Sequence, residues 1–163
     1  MTRVGLPLLL ALACTPTHAT PGDDTLRGWI EQCDPHGGQQ AINACAIVEN
    51  ARADDRLEAV LDEIDRTYAG NGTPEATRGL RDAQSSWSAQ VERDVEALYP
   101  VPEGEHPSVQ WGSAWVMSFE QTRTMLVRQR IAFLCEAWLP DRVRPDPAAP
   151  SSCNGPAAAP AAH

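Results

Sequence analysis

The chain of 163 residues contains no lysine. All 13 of its basic residues are arginine, set against 22 acids, so the formal charge at neutral pH is −9. A surface of that sign repels phosphate backbones and anionic headgroups, which argues against nucleic acid or a membrane surface as partner. A basic protein is the natural electrostatic partner, although acidity also serves solubility alone. Without lysine there is no Gly-rich phosphate loop ending in Lys, and neither HExxH nor GxSxG occurs. No CxxC pair exists and the four histidines are scattered, so neither a metal site nor a cofactor is expected. The many carboxylates look solvated, whereas a catalytic pair needs one member shifted by burial. The residues therefore read as those of a non-enzyme.

Long apolar runs are also missing. Nothing after the first stretch approaches the roughly 20 apolar residues of a membrane-spanning helix. That first stretch, "MTRVGLPLLLALACTPTHA", has Arg3, an apolar run from Val4 to Ala13 and the small-residue ending Thr17-His18-Ala19. It reads as a signal peptide, residues 1–19, cleaved after Ala19. The alternative is a lipoprotein acylated at Cys14. Either way the mature chain is expected in the periplasm or secreted, and losing Arg3 moves its formal charge to about −10.

Four cysteines remain: Cys33, Cys45, Cys135 and Cys153. An even number in an exported chain reads as disulfides, with three connectivities open to four cysteines. Pairing Cys33 with Cys45 closes a short loop, and pairing Cys135 with Cys153 pins the tail. Loops of this size are worth roughly 3 kcal/mol in the chain-entropy model.

The apolar spacing is helical almost throughout, and no strand pattern competes. "DTLRGWIEQC", Asp24 to Cys33, is a short amphipathic helix capped by Asp24 or Thr25. A second helix from Gln39 to about Ala69 has the seam Ala53, Leu57, Val60, Ile64 and Tyr68. "GNGTPE" ends it, with Thr73 as cap and Pro74 at the first position of a third helix reaching about Leu98. In that helix "LRDAQSSWSAQVERDV" sets Leu80, Ala83, Trp87, Val91 and Val95 on one side, and Gly79 weakens it. Residues 99–112, "YPVPEGEHPSVQWG", hold three prolines and two glycines and read as a loop. A last helix runs from about Ser113 to Trp138 with Val127, Ile131, Leu134 and Trp138 as its seam. The expected fold is all-α: a small antiparallel bundle of three long helices and one short N-terminal helix, stapled by disulfides. The domain is placed at 20–139 and a Pro/Ala-rich, largely disordered tail at 140–163.

On the second helix, Asp54, Glu58, Asp62 and Asp65 fall within about 80° of one another, beside the apolar seam. They form either a negative stripe offered to a basic partner or an ordinary wet face, with Arg66 pairing weakly with Asp62 one turn away.

Four segments in order, "CDPHGGQQAINACA", "ARADDRL", "LRDAQSSW" and "GSAWVMSFEQTRTMLVRQRIAFL", resemble the LprI-type lysozyme inhibitors, a domain of many secreted bacterial proteins. The matching residues are Cys33, Asn43, Cys45, Ala46, Ala53, Asp54, Leu57, Gln84, Trp87, Gly112, Ser113, Arg130 and Leu134. There are departures. Gln90 and Val91 replace the family's aromatic and Arg, and Glu58 its Asn. Val95 and Thr122 stand where the family carries what looks like a helix-to-helix disulfide, so both halves are absent together. The resemblance implies a protein that inhibits a peptidoglycan-degrading enzyme, or as a variant an immunity protein neutralising a wall-attacking effector. A non-catalytic envelope scaffold is a further alternative. Lysozymes are typically basic with an acidic cleft, so an acidic inhibitor gains association rate by steering. A loop entering such a cleft needs a polar or acidic tip, for which "PEGEHP", with Glu103, Glu105 and His106, is the candidate. Trp87 is assigned to the core, with Gln84 and Arg130 pairing beside it.

Overall fold

A computed structural model describes residues 21–69, 74–140 and 152–154. The expected signal segment with Ala19 and Cys14, the cap Thr73 and most of the 140–163 tail lie outside the described residues. Among the described residues all regular structure is helical: α1 Pro21–Gln32, α2 Gln39–Ala69, α3 Pro74–Leu98, α4 Pro107–Trp111, α5 Trp115–Trp138 and a 3-10 turn Ser152–Asn154. The all-α expectation holds. It omits α4, which interrupts the connection read as a plain loop, and the 152–154 turn, and α1 begins at Pro21, so that Asp24 and Thr25, expected as its cap, lie within it.

Long-range pairs set the directions. Residue 43 meets 113, 50 meets 124 and 68 meets 138, so α2 and α5 run parallel. Residue 81 meets 65, while 84 meets 130 and 92 meets 123, so α3 runs antiparallel to both. Consecutive long helices are thus antiparallel, and α2 against α5 is the principal interface. Ala53, Leu57, Val60, Leu61 and Ile64 of α2 close on Val127, Ile131 and Leu134 of α5, with Leu80 joining from α3. Val60, Ile64, Leu134 and Val95 are essentially inaccessible to water. Fully burying one such side chain is worth about 1.5–3 kcal/mol.

The α3 seam differs at one position. Ala83 faces solvent and Gln84 is buried in its place. Spacings of four, three and four from Leu80 through Gln84 and Trp87 to Val91 track the 3.6-residue repeat, and the buried amide is satisfied because Arg130 Nε donates to Gln84 Oε1 at 2.9 Å. The guanidinium stacks 5.5 Å from the half-buried Trp87 ring and 5.4 Å from Phe133. The expected architectural roles of all three residues are found.

Both expected disulfides form, Cys33–Cys45 and Cys135–Cys153. The first ties the end of α1 to α2 across a tight 34–38 turn. There Asp34 Oδ1 accepts from His36 N, and a Cβ on Gly37 would fall 2.8 Å from that of Ala41. The second holds the 152–154 turn on the bundle, where Arg56 donates to the carbonyls of Ser152 and Cys153 at 3.0 and 2.8 Å. Glu63 Oε2 accepts from Ser152 N at 3.1 Å.

Candidate functional site

The parallel course of α2 and α5 gathers both their N-terminal ends, the C-terminal end of α3 and the 99–114 connection at one end of the bundle. Asn43 Nδ2, on α2, donates to the Ser113 carbonyl at 2.9 Å and ties the connection down. Tyr99 braces it from the α3 side. Its hydroxyl donates to Ser118 O at 3.2 Å and lies 3.1 Å from Thr122 Oγ1. Its ring meets Trp111 edge-on at 5.5 Å and Phe119 at 5.9 Å, and Phe119 in turn meets Trp115. Trp111 Nε1 closes the circuit by donating to Pro100 O at 3.1 Å.

Within this frame the connection is built of short, capped pieces. Glu105 N donates to Pro102 O, with Gly104 at φ 82°, a value that suits glycine. His106 caps α4: its Nδ1 accepts from Ser108 N at 3.2 Å, and Pro107 takes the first helical position. Gly112, at φ 73°, ends the helix and donates to Ser108 O at 3.0 Å. His106 therefore spends its Nδ1 on the backbone. Glu103 and Glu105 are exposed and in no ion pair among the described residues. Leu98, Val109 and Trp111 are also exposed, so this short stretch carries half of the six exposed large apolar side chains found among the described residues.

Beneath this end lies a charge cluster that sequence reasoning missed. Arg123 of α5 donates to Glu92 of α3 at 2.7 Å and reaches Glu120 at 3.5 Å, while its buried Nε has no hydrogen-bond partner. Asp54 points into the same field and accepts from the buried Asn50 at 3.3 Å. Although Asp54 as a residue is open to solvent, burial of its carboxyl raises its pKa. Arg123 opposes that rise, and Glu92 and Asp55 add to it. Glu120 is raised for the same reason, burial first, with Arg123 opposing and Asp54 and Glu92 adding. No spacing within one helix reveals such a group, because its members come from three.

The acidic stripe is split. Asp54 belongs to the Arg123 cluster, whereas Glu58, Asp62 and Asp65 converge on Arg81 of α3. Arg81 binds Glu58 through Nη1, Asp62 at 2.7 Å through Nη2, and Asp65 through Nε and Nη2 at 2.8 and 2.6 Å. Burial works against the charge on Arg81, but hydrogen bonds to Glu58, Asp65 and Asp62 outweigh it and raise its pKa. The expected Arg66–Asp62 ion pair is not made; Arg66 Nε instead donates to the Asp62 carbonyl at 3.1 Å. All four stripe carboxylates thus have partners inside the molecule, three of them on Arg81. Among the described residues no group of three or more His, Cys, Asp or Glu has the arrangement of a metal site, and no helix is long and apolar enough to cross a membrane.

Fold and site together define a small, disulfide-stapled helical domain. The family model described as lysozyme inhibitor LprI matches residues 31–134, and the chain belongs to that family. No curated protein and no solved structure matches it.

Proposed function

We propose that the mature chain works outside the cytoplasm as an inhibitor of a peptidoglycan-cleaving hydrolase, binding the enzyme without turning anything over. The observation that carries this is the lysozyme-inhibitor family match across residues 31–134, which spans α2, α3 and the whole 99–114 connection. Charge supports it: a chain at −9 with no lysine is steered toward a basic enzyme, and the gain shrinks with salt. The domain is taken as residues 20–139 behind a cleaved signal segment.

Titration of the chain from residue 20 to 163 into a wall-clearing assay with a basic lysozyme tests the reading. Stoichiometric inhibition that weakens between low and moderate salt is expected. A folded chain that leaves clearing unchanged refutes lysozyme as the target. The second reading is an immunity protein specialised for one wall-attacking effector, which departures from the family at the exposed positions Glu58 and Gln90 over a retained core would suit.

A further inference from the structure

We infer that the 98–111 connection is the docking anchor of this protein, and that its occupant is a basic protein face with an apolar recess. This rests on the inhibitory reading above and assigns its surface. Two observations meet here. The first is exposed apolar area held rigid. Leu98, Val109 and Trp111 are 60%, 73% and 39% exposed. The backbone beneath them is fixed by the Tyr99–Trp111 stack, the Trp111–Pro100 hydrogen bond and the His106 cap. An aromatic ring already held by its neighbours, as that of Trp111 is, loses little freedom on binding, which is the character of interface hot spots.

The second observation is charge. From Asp94 to Thr122 the chain has five acids and no arginine, although it has 13 arginines overall. Glu103 and Glu105 lie between Leu98 and Val109 in the chain, exposed and in no ion pair among the described residues. The α2 stripe is a poorer candidate, because Glu58, Asp62 and Asp65 already share Arg81. Exposed apolar side chains and unpaired acids in one short stretch fit a cationic partner: the acids speed encounter and the apolar side chains slow release.

The test measures binding of a labelled basic lysozyme by fluorescence anisotropy, alongside wall clearing. It uses the full mature chain and the variants Leu98→Asp, Val109→Asp, Glu103→Gln with Glu105→Gln, and the control Met125→Asp. Leu98, Val109 and Met125 are all at least half exposed, so melting temperatures should match the parent. Each of the Leu98 and Val109 changes is expected to weaken binding at least about tenfold, mainly through faster release. The double Gln variant should associate more slowly and with less salt dependence, and Met125→Asp should bind as the parent does. Parent-like binding by both Asp variants overturns the anchor, and inhibition that persists in them does so while sparing the inhibitory reading. Binding lost in these variants, with no inhibition by the parent, supports the anchor and refutes inhibition. No binding by the parent overturns the anchor and removes lysozyme as the target.

Discussion

Replacing Arg81 by methionine keeps the apolar stem of the side chain and deletes the guanidinium on which Glu58, Asp62 and Asp65 converge. The pairs with Glu58 and Asp62 are wet, their carboxylates being about 60% exposed, and belong at the low end of the ~0.2–1 kcal/mol range for surface ion pairs. Asp65 is about half as exposed and takes the Nε hydrogen bond as well as a close ion-pair contact with Nη2, so it belongs at the upper end. The sum is about 1–2 kcal/mol, including repulsion among three carboxylates left without a cation. At about 4 °C per kcal/mol, Arg81→Met should lower the melting temperature by about 4–8 °C at low ionic strength. The deficit should shrink markedly as added salt shortens the screening length from about 10 Å at 0.1 M to about 3 Å at 1 M. Thermal melts followed by far-UV circular dichroism across a salt series measure this. Arg66→Met serves as control, since Arg66 reaches only a carbonyl and its loss should cost under about 0.5 kcal/mol. A deficit that stays constant across the series, or one no larger than that of the control, would show that α3 is held by packing and that the Arg81 cluster contributes nothing.

Four further outcomes are expected. Gly79→Ala should stabilise by up to about 1 kcal/mol in denaturant melts, because the added Cβ meets nothing within 4 Å and α3 continues through it. Asp54 and Glu120 both have folded pKa values raised above their ordinary 3.8 and 4.5, so their ionisation costs stability. That cost is absent below the unfolded values and grows as pH rises through the folded ones. Glu120→Gln should therefore stabilise at neutral pH and reduce the fall in stability with rising pH, read from melts at matched ionic strength. Cys135→Ser with Cys153→Ser opens a ring with a separation of 18 residues and should cost about 3 kcal/mol in denaturant unfolding. Val95→Cys with Thr122→Cys should restore an α3–α5 bridge, visible as a mass loss of two hydrogens. The register supports it, since Tyr99, one turn beyond the fully buried Val95, already contacts Thr122.

The helices were legible because their apolar residues recur at three and four, and burial follows that spacing closely. Cysteine arithmetic carried the disulfides for the same reason, being a matter of counting and loop size. Apart from the Gln84–Arg130 pair, what stayed hidden was features whose partners are distant in sequence. Arg66 lies one turn from Asp62 and looked like its partner, yet the carboxylates turn to Arg81 because α3 brings a guanidinium to the same strip of surface. The Pro- and Gly-rich 99–112 segment reads as a loop by composition. Its order comes from the tertiary contacts of Tyr99 and Trp111, and α4 is too short to announce itself by periodicity. Ala83 and Gln84 show a smaller failure: hydropathy favours alanine inside, but the helical angle places glutamine there, and Arg130 makes that tolerable.

The parallel pairing of α2 with α5 also bears on the order in which the chain can fold. The hydrogen bonds that join the two helices link residues 70, 74 and 79 apart, so the principal interface has no local beginning. Closing loops of that length is slow, and little apolar surface is rewarded until α5 arrives. The last long helix to leave the ribosome completes the core, and α2 with α3 alone would present an open apolar seam. For a protein that, on the reading proposed above, crosses a membrane before it folds, that late commitment keeps the chain loose enough to be threaded.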